Sequence, residues 1–238
     1  MKKSIKALLL CAGLGTRLRP ITYDLPKCLV EIAGRPILEH WFKKLEEINC
    51  DSAIVNTHYL HEQVSSFINK YQSNNLTIKV AHEKFLLGTF GTLRQHIDQF
   101  RGTTNLLIHA DNAMEDDLNE LIKAHKHRPK GCLITMLTFE TTSPEKCGIV
   151  VTDHNGIVIE FHEKKINSPG NIANGAVYVF DDEFITYLDK FKPEALDFSL
   201  DILPNLIGRI FTCHTRAHYF DIGTPQTLRE AQKIWESL

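Results

Sequence analysis

The feature that most constrains the fold is a change of hydrophobic period that repeats along the first 130 residues. Apolar runs of strand length, such as Ile5–Cys11 and Ser52–Thr57, alternate with segments of helical period, such as Pro36–Ile48. This alternation is typical of βα units on a mainly parallel sheet. Further strands are predicted at Leu76–Ala81 and Asn105–Ala110, and further helices at His61–Tyr71, Thr92–Phe100 and Leu118–His127. We therefore predict an α/β fold.

After residue 130 the pattern favours antiparallel structure. Gly148–Thr152 and Ile157–His162 flank Asn155-Gly156, which is a hairpin signal. Thr224 and Pro225 predict the N-cap and first position of a closing helix that ends at Leu238. Other strands are predicted at Cys132–Phe139, Gly175–Phe180, Ile210–His214 and His218–Asp221, a helix at Asp182–Lys190, and a helical start at Ser199–Ile207 that Pro204 kinks or ends.

The composition is that of an ordinary globular protein, with 43% hydrophobic and 24% charged residues. A length of 238 residues suits one large α/β domain or two small ones. The formal net charge of −2 argues against bulk binding of nucleic acid. A few placed cations would therefore have to hold any polyanionic ligand.

The N-terminus resembles a bacterial signal peptide in Lys2, Lys3 and Lys6, and in Leu10-Cys11, which stands where a lipoprotein cleavage site would. Between Lys6 and Cys11 stand four apolar residues, whereas a secretory apolar region needs about 7–15. We expect a strand here and a cytoplasmic protein. Nowhere do about 18 apolar residues follow one another, so no membrane association is expected. The six cysteines form no C-x-x-C pair, which favours reduced thiols.

A glycine-rich loop follows the first predicted strand. Gly13 and Gly15 precede Arg17, and Lys27 follows ten positions later. Such a loop can bring backbone N–H groups and cations to one polyphosphate. The P-loop pattern fails because no Gly-Lys follows Gly13. The dinucleotide fingerprint fails because Leu18 stands where its third glycine would be.

Two aspartates stand at predicted strand ends. Asp111 follows an apolar strand, and Asp221 follows Tyr219-Phe220. Open α/β sheets bind ligands at the carboxyl ends of their strands, and Mg²⁺ prefers one or two carboxylates together with phosphates and water. Each aspartate alone would be explained as a cap of a turn or helix. With the Gly13 loop nearby, we predict that the two hold Mg²⁺.

The pattern G-x-G-T-R-L-x-P, followed by Pro26-Lys27, resembles the signature of the sugar-nucleotide pyrophosphorylases, a family of nucleotidyltransferases. Asp221-Ile222-Gly223-Thr224-Pro225 is similar to a later motif of that family. The residues of these motifs most resemble those of the short mannose-1-phosphate guanylyltransferases. The resemblance implies a Rossmann-like, mainly parallel mixed sheet flanked by helices, with an antiparallel sugar-binding portion. It also implies one domain over residues 1–238, with a nucleotide-binding half to about residue 110 and a sugar-phosphate half after it.

The resemblance implies roles for individual residues. Arg17, Lys27 and Asp111 would be catalytic, and Asp111 and Asp221 would bind the metal. The implied nucleotide-binding residues are Leu10, Ala12, Gly13, Leu14, Gly15, Thr16, Glu83, Gly88 and Thr89. His109-Ala110 stands where the family commonly has Asn-Gly before the aspartate, so the surroundings of Asp111 differ from the family pattern.

The sugar-phosphate site is implied by two further motifs. Phe161 to Lys164 resembles F-x-E-K, in which Glu163 would bind sugar hydroxyls and Lys164 the sugar phosphate. Asn174 and Gly175 resemble N-x-G-x-Y, although here the glycine follows the asparagine directly. Asn171 is therefore left open as the alternative sugar contact.

The implied reaction joins an NTP and a sugar 1-phosphate into an NDP-sugar and pyrophosphate, with Mg²⁺ as cofactor. GTP with mannose 1-phosphate, or with a manno-heptose 1-phosphate, is the leading expectation. The alternatives are a uridylyl- or thymidylyltransferase acting on a glucose-like or amino-sugar phosphate, and a nucleotide-sensing subunit without catalysis. Nucleic acid and membranes are not expected as partners, and a homo-oligomer is left open.

Overall fold

The computed structural model describes residues 3–190 and 194–236. Its described strands form one nine-stranded, mixed and mainly parallel sheet and two antiparallel sheets of two strands each, flanked by helices. This confirms the predicted fold class. The strands are β1 (Ile5–Leu10), β2 (Glu31–Ile32), β3 (Arg35–Pro36), β4 (Ser52–Thr57), β5 (Thr77–His82), β6 (Thr104–His109), β7 (Asn112–Met114), β8 (Ile134–Glu140), β9 (Gly148–Thr152), β10 (Val158–Glu163), β11 (Ile172–Phe180), β12 (Ile210–His214) and β13 (Tyr219–Asp221). The helices are α1 (Ile37–Glu47), α2 (His61–Lys70), α3 (Thr89–His96), α4 (Asn119–Lys126), α5 (Asp182–Leu188) and α6 (Pro225–Trp235).

The chain divides into two compact units, each made of three segments. Unit 1 comprises Met1–Lys6, Leu87–Leu107 and Leu118–Arg216. Unit 2 comprises Ala7–Leu86, Ile108–Asp117 and Ala217–Leu238. Residue contacts rather than sequence order thus define the units, and the single domain with two consecutive functional halves stays a prediction.

Unit 2 carries the strand order β1-β4-β5. Strands β4 and β5 are parallel, from Ser52 opposite Thr77 to Thr57 opposite His82. Helix α1 buries an apolar stripe made of Ile37, Leu38, Trp41, Phe42 and Leu45. Burial of this stripe explains why the segment is a helix, although its N-cap position is Pro36, which offers no side-chain cap.

A second, short sheet of unit 2 pairs β7 with β13. The two strands are antiparallel, with Asp221 opposite Asn112 and Tyr219 opposite Met114. The sequence predicted a strand over His218–Asp221 but none at β7, because three residues are too few for a two-residue period to be recognised. The β2–β3 pair was missed for the same reason.

Unit 1 is organised around β8. Strand β11 pairs with it antiparallel, with Ile172 opposite Glu140 and Phe180 opposite Ile134. Strand β12 pairs with it parallel, which the antiparallel expectation after residue 130 did not include. Strands β9 and β10 form the predicted antiparallel hairpin around Asn155-Gly156.

Several boundaries differ from those predicted. Helix α3 begins at Thr89 rather than Thr92, and β11 begins at Ile172 rather than Gly175. The segment around Pro204 folds as a π-helical turn over Phe198–Ile202, followed by a 3₁₀ turn over Leu203–Leu206. Helix α6 begins as predicted, with the Thr224 hydroxyl accepting the amide of Thr227; its predicted end at Leu238 lies outside the described residues.

Over residues 3–190 and 194–236, no helix combines the length and the apolar character needed to cross a membrane.

A partly buried charge cluster holds α5 in unit 1. Asp181 is the N-cap of α5 and accepts the amide of Glu183. Its Oδ2 lies 2.8 Å from Arg128 Nη2 and 3.6 Å from His125 Nε2. Burial would raise the pKa of the Asp181 carboxyl, but His125 and Arg128 hold that pKa well below its usual range. Burial lowers the pKa of His125, so Arg128 is the permanent cation of the cluster.

We predict that Asp181→Asn lowers the free energy of unfolding by about 1.5–3 kcal/mol at pH 7, because it removes the less exposed of the two carboxylates that pair with Arg128 and leaves only Glu183 at 3.2 Å. Asparagine keeps the N-cap acceptor, so the loss measures the charge. Because the folded pKa of Asp181 is depressed, its contribution is complete above the unfolded pKa of about 3.9 and is lost as pH falls below it. Urea denaturation at pH 7 and pH 3 checks this.

The control is Asp189→Asn, whose carboxylate pairs with the exposed Arg101. An exposed pair contributes about 0–1 kcal/mol. Equal losses in the two variants, or a loss in Asp181→Asn that does not shrink at low pH, would contradict the assignment.

Candidate functional site

The loop after β1 combines a buried start with an exposed middle. Leu10 and Ala12 are buried, whereas Gly13, Leu14 and Thr16 are exposed. The Thr22 hydroxyl donates to the carbonyl of Gly15 at 2.7 Å. A Cβ at Gly15, where φ is 62°, would lie 3.0 Å from Thr22 Cγ2. Thr22 therefore fixes the loop at Gly15, while the exposed residues of the loop face solvent. Backbone amides have to be accessible in this way to bind a phosphate.

Arg17 lies in the 3₁₀ turn Thr16–Leu18 that follows, and the fully buried Leu18 anchors this turn. The Arg17 guanidinium lies against Gly223, where a Cβ would come within 3.1 Å of Nη1. Among the described residues, no carboxylate lies within 4.0 Å of this guanidinium. Its charge is thus available to an anionic ligand.

Lys27 joins the two predicted metal-binding aspartates. Its Nζ donates to Asp111 Oδ2 at 2.7 Å and lies 4.0 Å from Asp221 Oδ1. The lysine side chain is 9% exposed, whereas the two carboxylates are 39% and 40% exposed. The ammonium therefore sits beneath two carboxylates that are partly open to solvent.

The pairing of β7 with β13 brings these aspartates together. Asp111 immediately precedes β7, and Asp221 is opposite Asn112. Helix α1 holds β7 in place, because the indole N–H of Trp41 donates to the Asn112 carbonyl at 2.9 Å and Lys44 Nζ donates to the carbonyls of residues 115 and 116. The sequence predicted only that α1 is an amphipathic helix; it did not predict that Trp41 and Lys44 contact β7.

The two aspartates form a donor set that suits Mg²⁺. Burial would raise the pKa of Asp111, but Lys27, together with His109, lowers it below its usual range, so the carboxylate is ionised. Within the part of the chain that the structure describes, no group of three or more histidine, cysteine or acidic side chains could hold a metal ion. A magnesium ion on Asp111 and Asp221 would therefore take its remaining ligands from phosphates and water, which is its usual preference.

Glu83 is held at the end of β5 by a residue that the sequence analysis missed. The Asn56 amide donates to Glu83 Oε1 at 2.9 Å, and its Oδ1 accepts the backbone N–H of Cys11 at 2.7 Å. Glu83 is 5% exposed. Asn56 thus connects the beginning of the Gly13 loop to Glu83. A polar residue near the end of an apolar strand, as at Asn56, was the available signal.

Gly88 and Thr89, in unit 1, lie against another segment of the same unit. A Cβ at Gly88 would come within 2.5 Å of the Leu196 carbonyl oxygen, and that oxygen accepts the amide of Phe90 at 2.8 Å. The Thr89 hydroxyl accepts the amide of Phe198 at 2.7 Å. The family resemblance implies that Gly88 and Thr89 bind the nucleotide. In the structure the close approach at Gly88 is that of Leu196, and nucleotide binding by Gly88 and Thr89 stays a prediction.

Glu163, also in unit 1, is the last residue of β10, and Lys164 follows it. Lys164 Nζ lies 3.2 Å from Glu163 Oε1, and the lysine side chain is 60% exposed. Lys164 has a φ of 49°, which is uncommon for a residue other than glycine, and its amide donates to the Cys147 carbonyl. The lysine is therefore presented to solvent from a defined backbone conformation.

Asn174 lies in an irregular part of β11, where the register with β8 shifts between Asn174 and Tyr178. Its Nδ2 donates to the Tyr178 hydroxyl at 2.7 Å, and its Oδ1 accepts the amide of Ala176 at 2.9 Å. Gly175 is buried, with its Cβ position 3.1 Å from the Leu137 carbonyl. The alternative, Asn171, is exposed and donates to Glu140. Which asparagine contacts a sugar stays a prediction.

The structure thus gathers the predicted residues within each unit. Unit 2 contains the Gly13 loop, Arg17, Lys27, Glu83, Asp111 and Asp221, and unit 1 contains Gly88, Thr89, Glu163, Lys164, Asn174 and Gly175. Direct contacts are described between Lys27 and the two aspartates and between Glu163 and Lys164.

Comparison with protein families identifies relatives over nearly the whole chain. The family model described as nucleotidyl transferase matches residues 6–237. The mannose-1-phosphate guanylyltransferase catalytic subunit beta of Dictyostelium discoideum is 28% identical over 93% of this chain and 62% of its own length. The bifunctional protein GlmU of Methanocaldococcus jannaschii is 31% identical over 95% and 53%, and the UTP–glucose-1-phosphate uridylyltransferase of Synechocystis sp. is 30% identical over 92% and 60%. The chain therefore spans less than two thirds of the length of these curated relatives.

Solved structures share the fold. A Bacillus anthracis protein assigned as a glucose-1-phosphate thymidylyltransferase, in complex with a sucrose, superposes with a TM-score of 0.88 at 22% identity and covers 99% of this chain and 96% of its own. HddC from Yersinia pseudotuberculosis, complexed with GMP-PN, superposes with a TM-score of 0.79 at 24% identity, covering 97% and 99%. At these identities the likeness shows the fold.

We predict that Gly88→Ala lowers the free energy of unfolding by about 2–4 kcal/mol, because the methyl group meets the Leu196 carbonyl and φ 77°, ψ 165° is a region that essentially only glycine adopts. The control is Gly34→Ala, where φ is 71° but nothing lies within 4 Å of the Cβ position, so only about 1–2 kcal/mol of backbone strain is expected. Chemical denaturation of both variants measures the difference. Equal losses would show that Leu196 does not approach Gly88 in this way.

Proposed function

The chain belongs to the nucleotidyl transferase family, and we propose that it transfers a nucleotidyl group from an NTP to a sugar 1-phosphate, releasing an NDP-sugar and pyrophosphate. The observation that carries this proposal is the arrangement in unit 2, where Lys27 contacts both Asp111 and Asp221. The exposed Gly13 loop and Arg17 belong to the same unit. These are the cations, amides and carboxylates that such a transfer requires.

The reaction asks more of electrostatics than of acid–base chemistry. A sugar phosphate is already an anionic nucleophile, so no base is needed to activate it. The protein must hold two anions that repel each other and stabilise the charge that develops during displacement at the α-phosphorus. We assign the β- and γ-phosphates to Arg17 and the amides of residues 13–16, and the α-phosphate and leaving group to Lys27.

Asp111 and Asp221 are the residues that would hold Mg²⁺. When bound, Mg²⁺ would neutralise phosphate charge and orient the phosphate groups. The two carboxylates themselves hold the Lys27 ammonium between them while no phosphate is bound. Loss of either carboxylate would therefore affect Lys27 as well as the metal.

We assign the sugar phosphate to unit 1. Lys164 is exposed and charged, and Glu163 beside it can accept hydrogen bonds from sugar hydroxyls. Asn174 is oriented by Tyr178 and by the amide of Ala176. These assignments follow the family resemblance of the two motifs, and the contacts give the side chains defined positions.

We propose GTP as the nucleotide, with mannose 1-phosphate or a manno-heptose 1-phosphate as acceptor. The Dictyostelium discoideum relative is named a mannose-1-phosphate guanylyltransferase. Glu83 supports guanine as the base. A carboxylate only accepts hydrogen bonds, and guanine presents adjacent N–H donors at N1 and N2. Asn56 holds this carboxylate at the end of β5.

A uridylyltransferase is the second candidate. The relatives named GlmU and UTP–glucose-1-phosphate uridylyltransferase are 31% and 30% identical to this chain, slightly above the guanylyltransferase at 28%. The substrate panel below distinguishes the two candidates.

The test is a panel of GTP, UTP, dTTP, ATP and CTP with mannose, heptose, glucose and N-acetylglucosamine 1-phosphates, in Mg²⁺, followed by pyrophosphate release. We expect the highest rate with GTP and a manno-configured sugar phosphate. The highest rate with UTP or dTTP would replace the first candidate by the second. Nucleotide binding without turnover of any pair would favour a nucleotide-sensing subunit.

We predict that Asp111→Asn lowers the rate of pyrophosphate release by about 10²–10³, because both the metal and Lys27 lose a carboxylate. The control is Asp117→Asn, which removes the same charge from an exposed aspartate six residues further on. Initial rates at saturating substrates, with melting temperatures to verify folding, provide the measurement. An Asp111→Asn enzyme as fast as the control would remove Asp111 from the site.

We predict that Glu83→Gln lowers kcat/KM for GTP by about tenfold to a hundredfold and raises the ratio of UTP to GTP use. Glutamine keeps an acceptor for Asn56, but its other group is a donor, which opposes the guanine N–H groups and suits a pyrimidine carbonyl. Glu62→Gln, on the exposed side of α2, is the control. An unchanged preference for GTP would exclude Glu83 as the determinant of base choice.

A further inference from the structure

The Lys27 ammonium lies between the two carboxylates assigned to the metal. It donates to Asp111 Oδ2 at 2.7 Å and lies 4.0 Å from Asp221 Oδ1. No other lysine or arginine of the described residues lies within 4.0 Å of either carboxylate. In the described structure Lys27 is therefore the cation that compensates both aspartates.

A divalent ion bound by the same oxygens would bring three positive charges within a few ångströms of one another. At such distances in a partly buried site this repulsion is strong. Lys27 cannot withdraw along its own stem, because its side chain is 9% exposed and its backbone is fixed by the turn Lys27–Leu29, in which the Val30 amide donates to the Lys27 carbonyl. The ammonium end is the part that can turn to another anion.

We infer that Lys27 and the divalent metal compete for Asp111 and Asp221, so that the metal binds tightly only when a nucleotide phosphate takes over the Lys27 ammonium. The inference rests on the proposed function, because it uses its metal pair and its nucleotide. It adds a second role for Lys27, which restrains metal binding in the absence of nucleotide. Arg17 lies against Gly223, two residues after Asp221, and adds a further positive charge that a nucleotide would neutralise.

This competition makes metal and nucleotide binding mutually dependent. By linkage, if the nucleotide raises the affinity for the metal by a given factor, the metal raises the affinity for the nucleotide by the same factor. If Lys27 only supported the structure of the site, its removal would instead lower the affinity for both the metal and the nucleotide. The sign of the effect of Lys27 on metal affinity therefore separates the two roles.

The experiment measures Mn²⁺ binding without nucleotide, by the electron paramagnetic resonance signal of the free ion. We expect Lys27→Met to bind Mn²⁺ about tenfold or more tightly than wild type, because a charge-assisted hydrogen bond no longer opposes the metal. Lys27→Arg, which keeps the charge, should stay within about threefold of wild type. Pyrophosphate release should nevertheless fall in Lys27→Met.

The matched control is Lys43→Met. It removes the same charge from a half-exposed position of α1, where Lys43 pairs with Glu39, so it reports the general effect of net charge. Its Mn²⁺ affinity should equal that of wild type. Melting temperatures establish that each variant is folded, and Lys27→Gln replaces Lys27→Met if the latter does not fold.

An equal or weaker affinity for Mn²⁺ in folded Lys27→Met, relative to Lys43→Met, would overturn the inference. Adding Asp111→Asn to Lys27→Met should abolish the gain. If the double variant keeps the gain, the added metal lies elsewhere and the inference fails, whereas turnover in the substrate panel would still support the proposed transfer. Absence of turnover with a normal gain in Mn²⁺ affinity would instead count against the proposed function.

Discussion

The short pairing of β7 with β13 is the constraint on which the candidate metal site depends. It places Asp221 opposite Asn112, next to Asp111, although the two aspartates are 110 positions apart in the chain. Three-residue strands have little stability alone. Two side chains of α1 stabilise β7: Trp41 donates to the Asn112 carbonyl, and Lys44 donates to the carbonyls of residues 115 and 116. The chemistry of the site therefore rests on an ordinary amphipathic helix packed behind it.

The electrostatic balance of unit 2 follows from this arrangement. Two carboxylates close together would repel each other, and Lys27 compensates that repulsion from its buried side. Arg17 has no such acidic partner among the described residues. Lys27 is thus a cation whose charge is already compensated, whereas Arg17 is a cation available to a ligand. A bound polyanion would therefore change the balance of charge in unit 2.

In unit 1, the motif that was predicted to bind the nucleotide makes packing contacts. Gly88 allows the Leu196 carbonyl to approach, and the Thr89 hydroxyl accepts the amide of Phe198 at the start of the π-helical turn whose N-cap is Asp197. A motif of glycine and threonine does not state which neighbour it accommodates. The residues that answer this, Leu196 and Phe198, are more than 100 positions away.

The sequence by itself determined the α/β class, most element positions and the presence of Arg17 and Lys27 after the Gly13 loop. Each of these follows from local information: hydrophobic period, turn residues and the spacing of Arg17 and Lys27. Only the tertiary structure decided that β12 runs parallel to β8, that β7 exists, that Asn56 holds Glu83, and that Lys27 lies between two aspartates. The physical reason is that these contacts join residues far apart in the chain, and a local pattern carries no information about which distant group will satisfy a hydrogen bond or a charge.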